Sequence, residues 1–163
     1  SVVPPSWRNA SQGTMIETSP AAATVMGEIA SRLAAQGGVA LIMDYGAMEL
    51  RAGSTLQAIK AHQKVDVFAH PGSADLTAHV DFELLRQVAT NHGAQIMGLQ
   101  MQGEWLLNLG IDTRLEALQR KSPGHGGRLQ RQRDRLVADG EMGTLFKVLG
   151  IAGPGWPNGV GFD

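Results

Sequence analysis

The chain has 163 residues, a formal net charge of −1 and no cysteine. The near-neutral charge does not indicate a nucleic acid or an anionic membrane as partner, and the lack of cysteine excludes disulfides, thiolate nucleophiles and cysteine-ligated metals and favours a reducing compartment. One domain with a sizeable core fits this length, and the apolar runs are far shorter than the roughly 18 residues of a membrane helix, so we expect no membrane insertion.

The first clear elements are a helix and a strand that follows it directly. Ser19 is a typical N-cap and Pro20 a typical first helical residue, and Gly37 predicts the end of this helix. Residues 39–43 form an unbroken apolar run, which predicts a strand buried on both faces, as in a parallel sheet. A short strand is also expected at 14–17. Helix and strand together favour an α/β domain.

Further helices and strands are predicted along the rest of the chain. A strand-like alternation covers 54–59, and a polar, turn-rich stretch occupies 62–77. Asp81 predicts the N-cap of a second helix at 82–92. The remaining expected elements are a strand at 94–101, helices at 104–109 and 113–120, a flexible loop at 122–127, a basic helix at 129–138 and a strand at 145–151.

The first candidate site follows the apolar run at 39–43. In open α/β sheets the ligand lies off the carboxyl ends of the strands, where this sequence places Asp44, Tyr45 and Gly46. Asp44 can accept hydrogen bonds from a substrate cation, and Tyr45 can stack on a substrate. The alternative is structural: Asp44 caps a turn and Tyr45 is a half-buried aromatic residue.

A second candidate site is the polar cluster at 75–81. Asp75, Thr77, His79 and Asp81 occupy alternate positions, so an extended chain would project all four to one side, as a wall for acid–base chemistry. The alternative is turn and cap chemistry, with an Asx turn at Asp75 and the helix cap at Asp81. We expect the cap for Asp81 and a functional role for the other three.

Histidines allow a different function, a metal-dependent hydrolase. None of their spacings matches a known metal motif, so this hypothesis depends on the fold. A mononuclear site would need ligands from His62, His70, Asp75 and His79.

A non-enzymatic function is the remaining alternative. Half of the 14 lysine and arginine residues lie at 114–135, so the basic helix at 129–138 can dock an acidic partner in an interaction module. Such a run is more often a solvated helix face. Aromatic residues do not interleave these charges, as a single-strand nucleic-acid platform would require, so we expect no nucleic acid partner.

Several short motifs in a fixed order resemble those of one family. They are Gly37-Gly38 before the apolar run, Asp44-Tyr45-Gly46 after it, Ser54-Thr55-Leu56, His62, Pro71-Gly72, Asp75-Leu76-Thr77-Ala78, Val80-Asp81-Phe82, Gln102 with Leu106-Leu107 and Gly110-Ile111, and Met142-Gly143 with Phe146-Lys147. Over residues 17–162 this order resembles the MidA-like family of S-adenosylmethionine-dependent methyltransferases. The resemblance implies the C-terminal part of a Rossmann-like class I sheet, made of late strands with flanking helices.

The resemblance also implies a domain organisation and a function. Residues 1–163 correspond to the C-terminal portion of a single methyltransferase domain, because the family's glycine-rich cofactor loop and its Asn-Glu motif are not in this chain. The implied cofactor is S-adenosylmethionine, with its main binding loop elsewhere. The implied substrate is a protein arginine, on a respiratory complex I subunit for mitochondrial members. The implied compartment is the mitochondrial matrix in eukaryotes and the cytoplasm in bacteria.

Site residues follow from the same resemblance, position by position. Asp44 and Asp75 are the carboxylates available to hold and deprotonate a guanidinium, and are the expected catalytic residues. Ala47 departs from the family, which usually has histidine or an aromatic residue there. The expected substrate-binding residues are Tyr45, Gly46, Thr77, His79 and Gln102.

Overall fold

The computed structural model describes residues 7–49 and 51–162. The helices are α1 (Pro20–Gln36), α2 (Phe82–Asn91), α3 (Gln102–Asn108), α4 (Ile111–Lys121), α5 (Gly126–Val137) and α6 (Met142–Leu145). The strands are β1 (Val39–Ala47), β2 (Gln57–Lys60), β3 (Gln63–Val65), β4 (Asp75–Thr77), β5 (Val80–Asp81), β6 (Gln95–Met101) and β7 (Phe146–Ala152). A short 3-10 turn, Pro123–His125, precedes α5.

The strands form two sheets. The main sheet has the order β5-β1-β7-β6, and a smaller sheet has the order β3-β2-β4. β1 runs parallel to β5, while the β1–β7 and β7–β6 pairs are antiparallel. The predicted α/β class is confirmed. The parallel arrangement inferred from the apolar run holds only for the short β1–β5 pair.

One face of the main sheet carries the core. Helices α1 and α2 pack on it and bury Phe82, Leu149 and Ile151 completely. From β1, Ala40 and Ile42 pack against this cluster, because alternate residues of a strand point to the same face. Strand β1 is therefore fixed by the packing of one face on the core and by its pairing with β7.

Cap chemistry sets the limits of α1 and α2 as predicted. Ser19 Oγ accepts a hydrogen bond from the Ala22 amide, and the N–H of Gly37 donates to Leu33 at the other end. The Asp81 carboxylate accepts from the Leu84 amide at 2.9 Å. The predicted end at Gly37 is explained by its positive φ of 75°, which glycine adopts without strain.

Other predicted elements need correction. The stretch 14–17 is not a strand, because its Glu17 side chain binds a loop, as described below. The strand expected at 54–59 begins only at Gln57, since Ser54 and Thr55 bind Glu17 instead. The loop expected at 122–127 contains a 3-10 turn and the start of α5.

The clearest correction concerns the strand that the apolar run predicts. β1 exists, but it is not buried on both faces: Val39, Leu41 and Met43 are 52%, 45% and 51% exposed. Helices α1 and α2 pack over the opposite face, which carries Ala40 and Ile42. The strand also continues to Ala47, so residues 44–46 belong to its C-terminal part and do not follow its end.

Candidate functional site

Two cavities flank the carboxyl end of β1. The smaller, of about 220 Å³, lies between the start of α1 and the start of α2. The larger, of about 600 Å³, lies towards α6 and the start of β7. Four residues line both cavities: Ala47, Glu49, Arg51 and His79. Because ligands bind at the carboxyl ends of strands in α/β sheets, this is the candidate site.

Glu17 organises one wall of the smaller cavity. Its carboxylate accepts hydrogen bonds from Ser54 Oγ at 2.7 Å, from the Thr55 amide at 2.9 Å, from Thr55 Oγ1, and from the Leu56 amide at 3.2 Å. Burial by itself would raise the pKa of Glu17, but these hydrogen bonds outweigh burial and hold the pKa below its ordinary value. The carboxylate therefore stays charged and fixes the 54–56 loop.

Thr55 connects this clamp to His79. The His79 backbone N–H donates to Thr55 Oγ1 at 2.9 Å, so the position of His79 depends on the loop that Glu17 holds. The His79 ring meets the Tyr45 ring edge to face, with centroids 5.9 Å apart, and Tyr45 meets Phe146 in the same way at 5.9 Å. The structure thus brings together two of the predicted substrate-binding residues, Tyr45 and His79.

Lys147 lines the larger cavity from β7. Its side chain is buried, and Nζ donates to the carbonyl oxygens of Thr144 at 2.6 Å and Leu145 at 3.1 Å. Burial, and secondarily the charge of Arg51, lower the pKa of Lys147. Asp44 is its partner in the β1–β7 register, but no ion pair joins the two side chains. Lys147 therefore neutralises no carboxylate among the described residues.

The two expected catalytic carboxylates occupy different elements. Asp44 is half-buried in β1, where one carboxylate oxygen accepts from the Tyr45 amide at 2.8 Å. Asp75 is exposed at the start of β4 in the smaller sheet. Neither lines the two cavities described above. The catalytic role of Asp44 and Asp75 stays a prediction.

The other expected site residues divide between cavity wall and scaffold. Gly46 lines the larger cavity and has room for no side chain, since a Cβ there would lie 2.2 Å from the Val80 carbonyl oxygen. Thr77 Oγ1 is buried without a hydrogen-bond partner in the described structure. Gln102 begins α3 and is buried, and its Nε2 donates to the Leu136 carbonyl oxygen at 2.9 Å.

The polar stretch 75–81 is not one continuous strand. β4 ends at Thr77 and β5 begins at Val80, so the expected common side for all four polar residues is wrong. Asp81 is occupied as the α2 cap. Within residues 7–49 and 51–162, no three histidine or acidic side chains are close enough to hold a metal ion, and the site from His62, His70, Asp75 and His79 is not formed.

Comparisons with known proteins decide the family. The family model described as "Putative S-adenosyl-L-methionine-dependent methyltransferase" matches residues 1–100. The chain belongs to this family. The MidA-like resemblance stated from the motifs is therefore confirmed, and the comparisons give no support to the interaction-module or hydrolase alternatives.

Curated relatives of this methyltransferase family include mitochondrial proteins. The chain is 42% identical over 144 residues to protein arginine methyltransferase NDUFAF7, mitochondrial, of Xenopus tropicalis, covering 83% of this chain and 32% of that protein. It is 36% identical over 138 residues to the Homo sapiens protein of the same name, covering 83% and 31%. The chain thus spans about a third of the length of the curated relatives it matches.

A solved structure shows the same fold. A Burkholderia thailandensis superfamily member bound to S-adenosyl-homocysteine aligns with a TM-score of 0.74 and 29% identity, over 90% of this chain and 37% of that one. Of the two cavities at the carboxyl end of β1, the smaller, of about 220 Å³, is below the 300 to 1,000 Å³ usual for small-molecule pockets, and the larger, of about 600 Å³, lies within that range.

Four residues at the candidate site were missed from the sequence: Glu17, Glu49, Arg51 and Lys147. Glu17 carried one usable signal, its place two residues before a helix N-cap, but its partners are 37 to 39 positions away. Lys147 lies in a strand whose pattern predicts burial, and a buried lysine is unusual enough to single out. Glu49 and Arg51 carried no signal beyond charge in a loop.

Proposed function

We propose that this chain is the C-terminal portion of a MidA-like methyltransferase domain that transfers methyl groups to arginine of a protein substrate. The observation that carries the proposal is the family match together with 36–42% identity to protein arginine methyltransferases. S-adenosylmethionine supplies the methyl group in this family. The cofactor loop belongs to the part of the fold that this chain does not span.

The chain's own contribution is the acceptor side of the cleft. A guanidinium is recognised best by carboxylates, which accept its N–H groups in pairs. Asp44 and Asp75 are the proposed carboxylates for this role, and loss of a proton from the guanidinium needs such a base near the accepting nitrogen. Tyr45, Gly46 and His79 border the same end of β1, and Thr77 and Gln102 complete the proposed substrate-binding set.

The proposed partner and compartment follow the relatives. The mitochondrial names of the curated relatives support the mitochondrial matrix for a eukaryotic source, and the Burkholderia thailandensis relative supports the bacterial cytoplasm otherwise. The proposed substrate is a protein, with a respiratory complex I subunit as the candidate for mitochondrial members. No helix of the described residues is long and apolar enough to cross a membrane.

The test replaces the matching region of the Burkholderia thailandensis protein by this chain, in one polypeptide. Methyl transfer from labelled S-adenosylmethionine to protein is measured, and methylarginine is identified by mass spectrometry. We expect Asp44→Asn and Asp75→Asn to lower turnover at least about 100-fold, as loss of a general base does, with little change in thermal unfolding for exposed Asp75. The matched control is Asp66→Asn, also an acidic residue in the 62–77 stretch.

Two results would count against this assignment. Unchanged turnover in Asp44→Asn and Asp75→Asn would remove both residues from the catalytic site. Label on an amino acid other than arginine would leave the methyltransferase assignment in place and overturn the proposed substrate.

A further inference from the structure

Lys147 is a buried cation without an anionic partner among the described residues. Its side chain is only 8% exposed, and a buried charge is costly unless it is paired. The ion pairs of the described residues involve Arg86 and Arg133 but not Lys147. A methionine of similar length would fill the same space without burying a charge. Packing alone therefore does not account for a lysine at this position.

The hydrogen bonds of Lys147 leave one donor for a ligand. An ammonium group has three N–H donors. Nζ donates to the carbonyl oxygens of Thr144 at 2.6 Å and Leu145 at 3.1 Å, which lie at the C-terminal end of α6. The two carbonyl groups fix the ammonium group in place but do not neutralise its charge. The remaining donor is available at the wall of the larger cavity, which Lys147 lines.

The larger cavity brings a second cation near Lys147. Arg51 lines the same cavity and forms no ion pair within the part of the chain that the structure describes. Its positive charge contributes to the lowered pKa of Lys147, which indicates that the two cations repel each other. The acidic residues of the cavity wall, Glu49 and Glu141, are exposed, and neither pairs with Lys147. An anionic group bound between the two cations would relieve their repulsion.

The register of the main sheet connects Lys147 to the proposed acceptor site. Lys147 lies opposite Asp44 in the β1–β7 pair. Directly opposite residues of an antiparallel pair have their Cβ atoms about 4.5–5.5 Å apart on the same face of the sheet. Asp44 is one of the two carboxylates proposed to hold the acceptor guanidinium. A group bound at Lys147 is therefore a close neighbour of the acceptor arginine.

From these contacts, and resting on the proposed function, we infer that the larger cavity is a subsite for a carboxylate group of the protein substrate. Lys147 donates its third N–H to this carboxylate, and Arg51 adds a second charged contact at the rim of the cavity. The carboxylate belongs to an aspartate or glutamate close in sequence to the acceptor arginine. The two cations repel a guanidinium, so they direct the acceptor arginine towards Asp44. Lys147 and Arg51 are thus substrate-positioning residues.

The experiment measures peptide binding to the single polypeptide that joins this chain to the rest of the Burkholderia thailandensis protein. The probes are arginine peptides with one glutamate, placed in turn at each of the three positions on either side of the arginine. Each has a partner peptide with glutamine at the same place. Affinities are measured calorimetrically with S-adenosyl-homocysteine present. At one or more positions we expect the glutamate peptide to bind about 10-fold more tightly, because charge-assisted hydrogen bonds are the stronger kind.

Replacement of the buried lysine tests its role. Lys147→Met should abolish the preference, so that the two peptides of a pair bind equally. Lys64→Met is the matched control, since Lys64 is an exposed lysine of β3, and it should keep the full preference. Circular dichroism reports whether each variant folds. If Lys147→Met does not fold, amide chemical shifts of the unaltered protein decide: the glutamate peptide should shift Thr144, Leu145 and Lys147 more than its glutamine partner does.

Several results would overturn the inference. They are the absence of peptide binding, equal affinities or equal shifts for the two peptides at every position, and a glutamate preference that survives in Lys147→Met. Weaker binding of S-adenosyl-homocysteine in Lys147→Met, with the peptide preference intact, would assign the subsite to the carboxylate of the cofactor instead.

The proposed function is judged separately, by methyl transfer in the same polypeptide. Glutamate-selective binding through Lys147 without methyl transfer would refute the function and leave the subsite. Methyl transfer to arginine without any glutamate preference would do the reverse.

Discussion

Removal of the Glu17 carboxylate is the most informative single perturbation of the site scaffold. Glu17→Ala deletes the acceptor of four hydrogen bonds from Ser54, Thr55 and Leu56. The Leu56 amide keeps Ser54 Oγ at 3.2 Å, and both hydroxyls can turn to water. The Thr55 amide loses its only described acceptor. The largest loss therefore falls on one backbone N–H.

The expected magnitude follows from these contacts. A hydrogen bond to a charged group contributes about 1.5–3 kcal/mol, and the half-exposed position of Glu17 reduces the contribution of the rest through solvation. We expect the free energy of unfolding to fall by about 2 kcal/mol. For a domain of this size that corresponds to a decrease in Tm of roughly 4–8 °C.

Denaturant unfolding and amide exchange measure this effect. Exchange should accelerate at Thr55, Leu56 and, through Thr55 Oγ1, at His79. The control is Glu28→Ala, an exposed acidic residue of α1, with an expected change within about 0.5 kcal/mol. Equal unfolding free energies for the two variants would refute the clamp.

The pH dependence gives a second readout of the same clamp. The pKa of Glu17 is lowered in the folded chain, so its stabilisation is present above the ordinary pKa of 4.5 and is lost as pH falls through the folded value. Glu17→Gln should lack this acid-dependent loss. The pH dependence would be assigned to another group if the free energies of unfolding of the parent chain and Glu17→Gln differed by the same amount from pH 7 down to the folded pKa of Glu17.

Two further changes test the walls of the larger cavity. Gly46→Ala should lower the free energy of unfolding by about 1–3 kcal/mol, the usual effect of overpacking, because the new Cβ would meet the Val80 carbonyl oxygen. Gly124→Ala, with open space around it, should not. In the parent chain, the lowered pKa of Lys147 should make the free energy of unfolding rise with pH up to 10.5. Denaturant titrations should show that the free energy of unfolding no longer rises with pH in Lys147→Met but still rises in Lys64→Met. A rise that persists in Lys147→Met would assign the pH dependence to another group.

Local sequence signals predicted five of the six helices that the described residues form, all except α6. Ser19, Pro20 and Gly37 fixed α1, and Asp81 fixed the start of α2, because caps depend on residues within a few positions. The helix at 129–138 was found within three residues of its observed start. Such elements need no knowledge of distant packing.

Long-range contacts explain what the sequence could not predict. The apolar run at 39–43 is the same whether one or both faces are covered, so its local pattern carried no information on the exposed face of β1. The Glu17 clamp depends on partners 37 to 39 positions away, and the loop that it holds delays the start of β2 to Gln57. The family was recognisable because its motifs are short and occur in a fixed order along the chain. The geometry of the site depends on which of these motifs contact each other in the fold, and the sequence does not show those contacts.

Calorimetric binding of S-adenosyl-homocysteine tests whether the cofactor loop lies outside this chain. S-adenosyl-homocysteine is titrated calorimetrically into the 163-residue chain alone and into the single polypeptide that joins it to the rest of the Burkholderia thailandensis protein. We expect no measurable binding to the chain alone and saturable binding to the joined protein. Tight, saturable binding to the chain alone would contradict the proposal that the cofactor loop lies outside it.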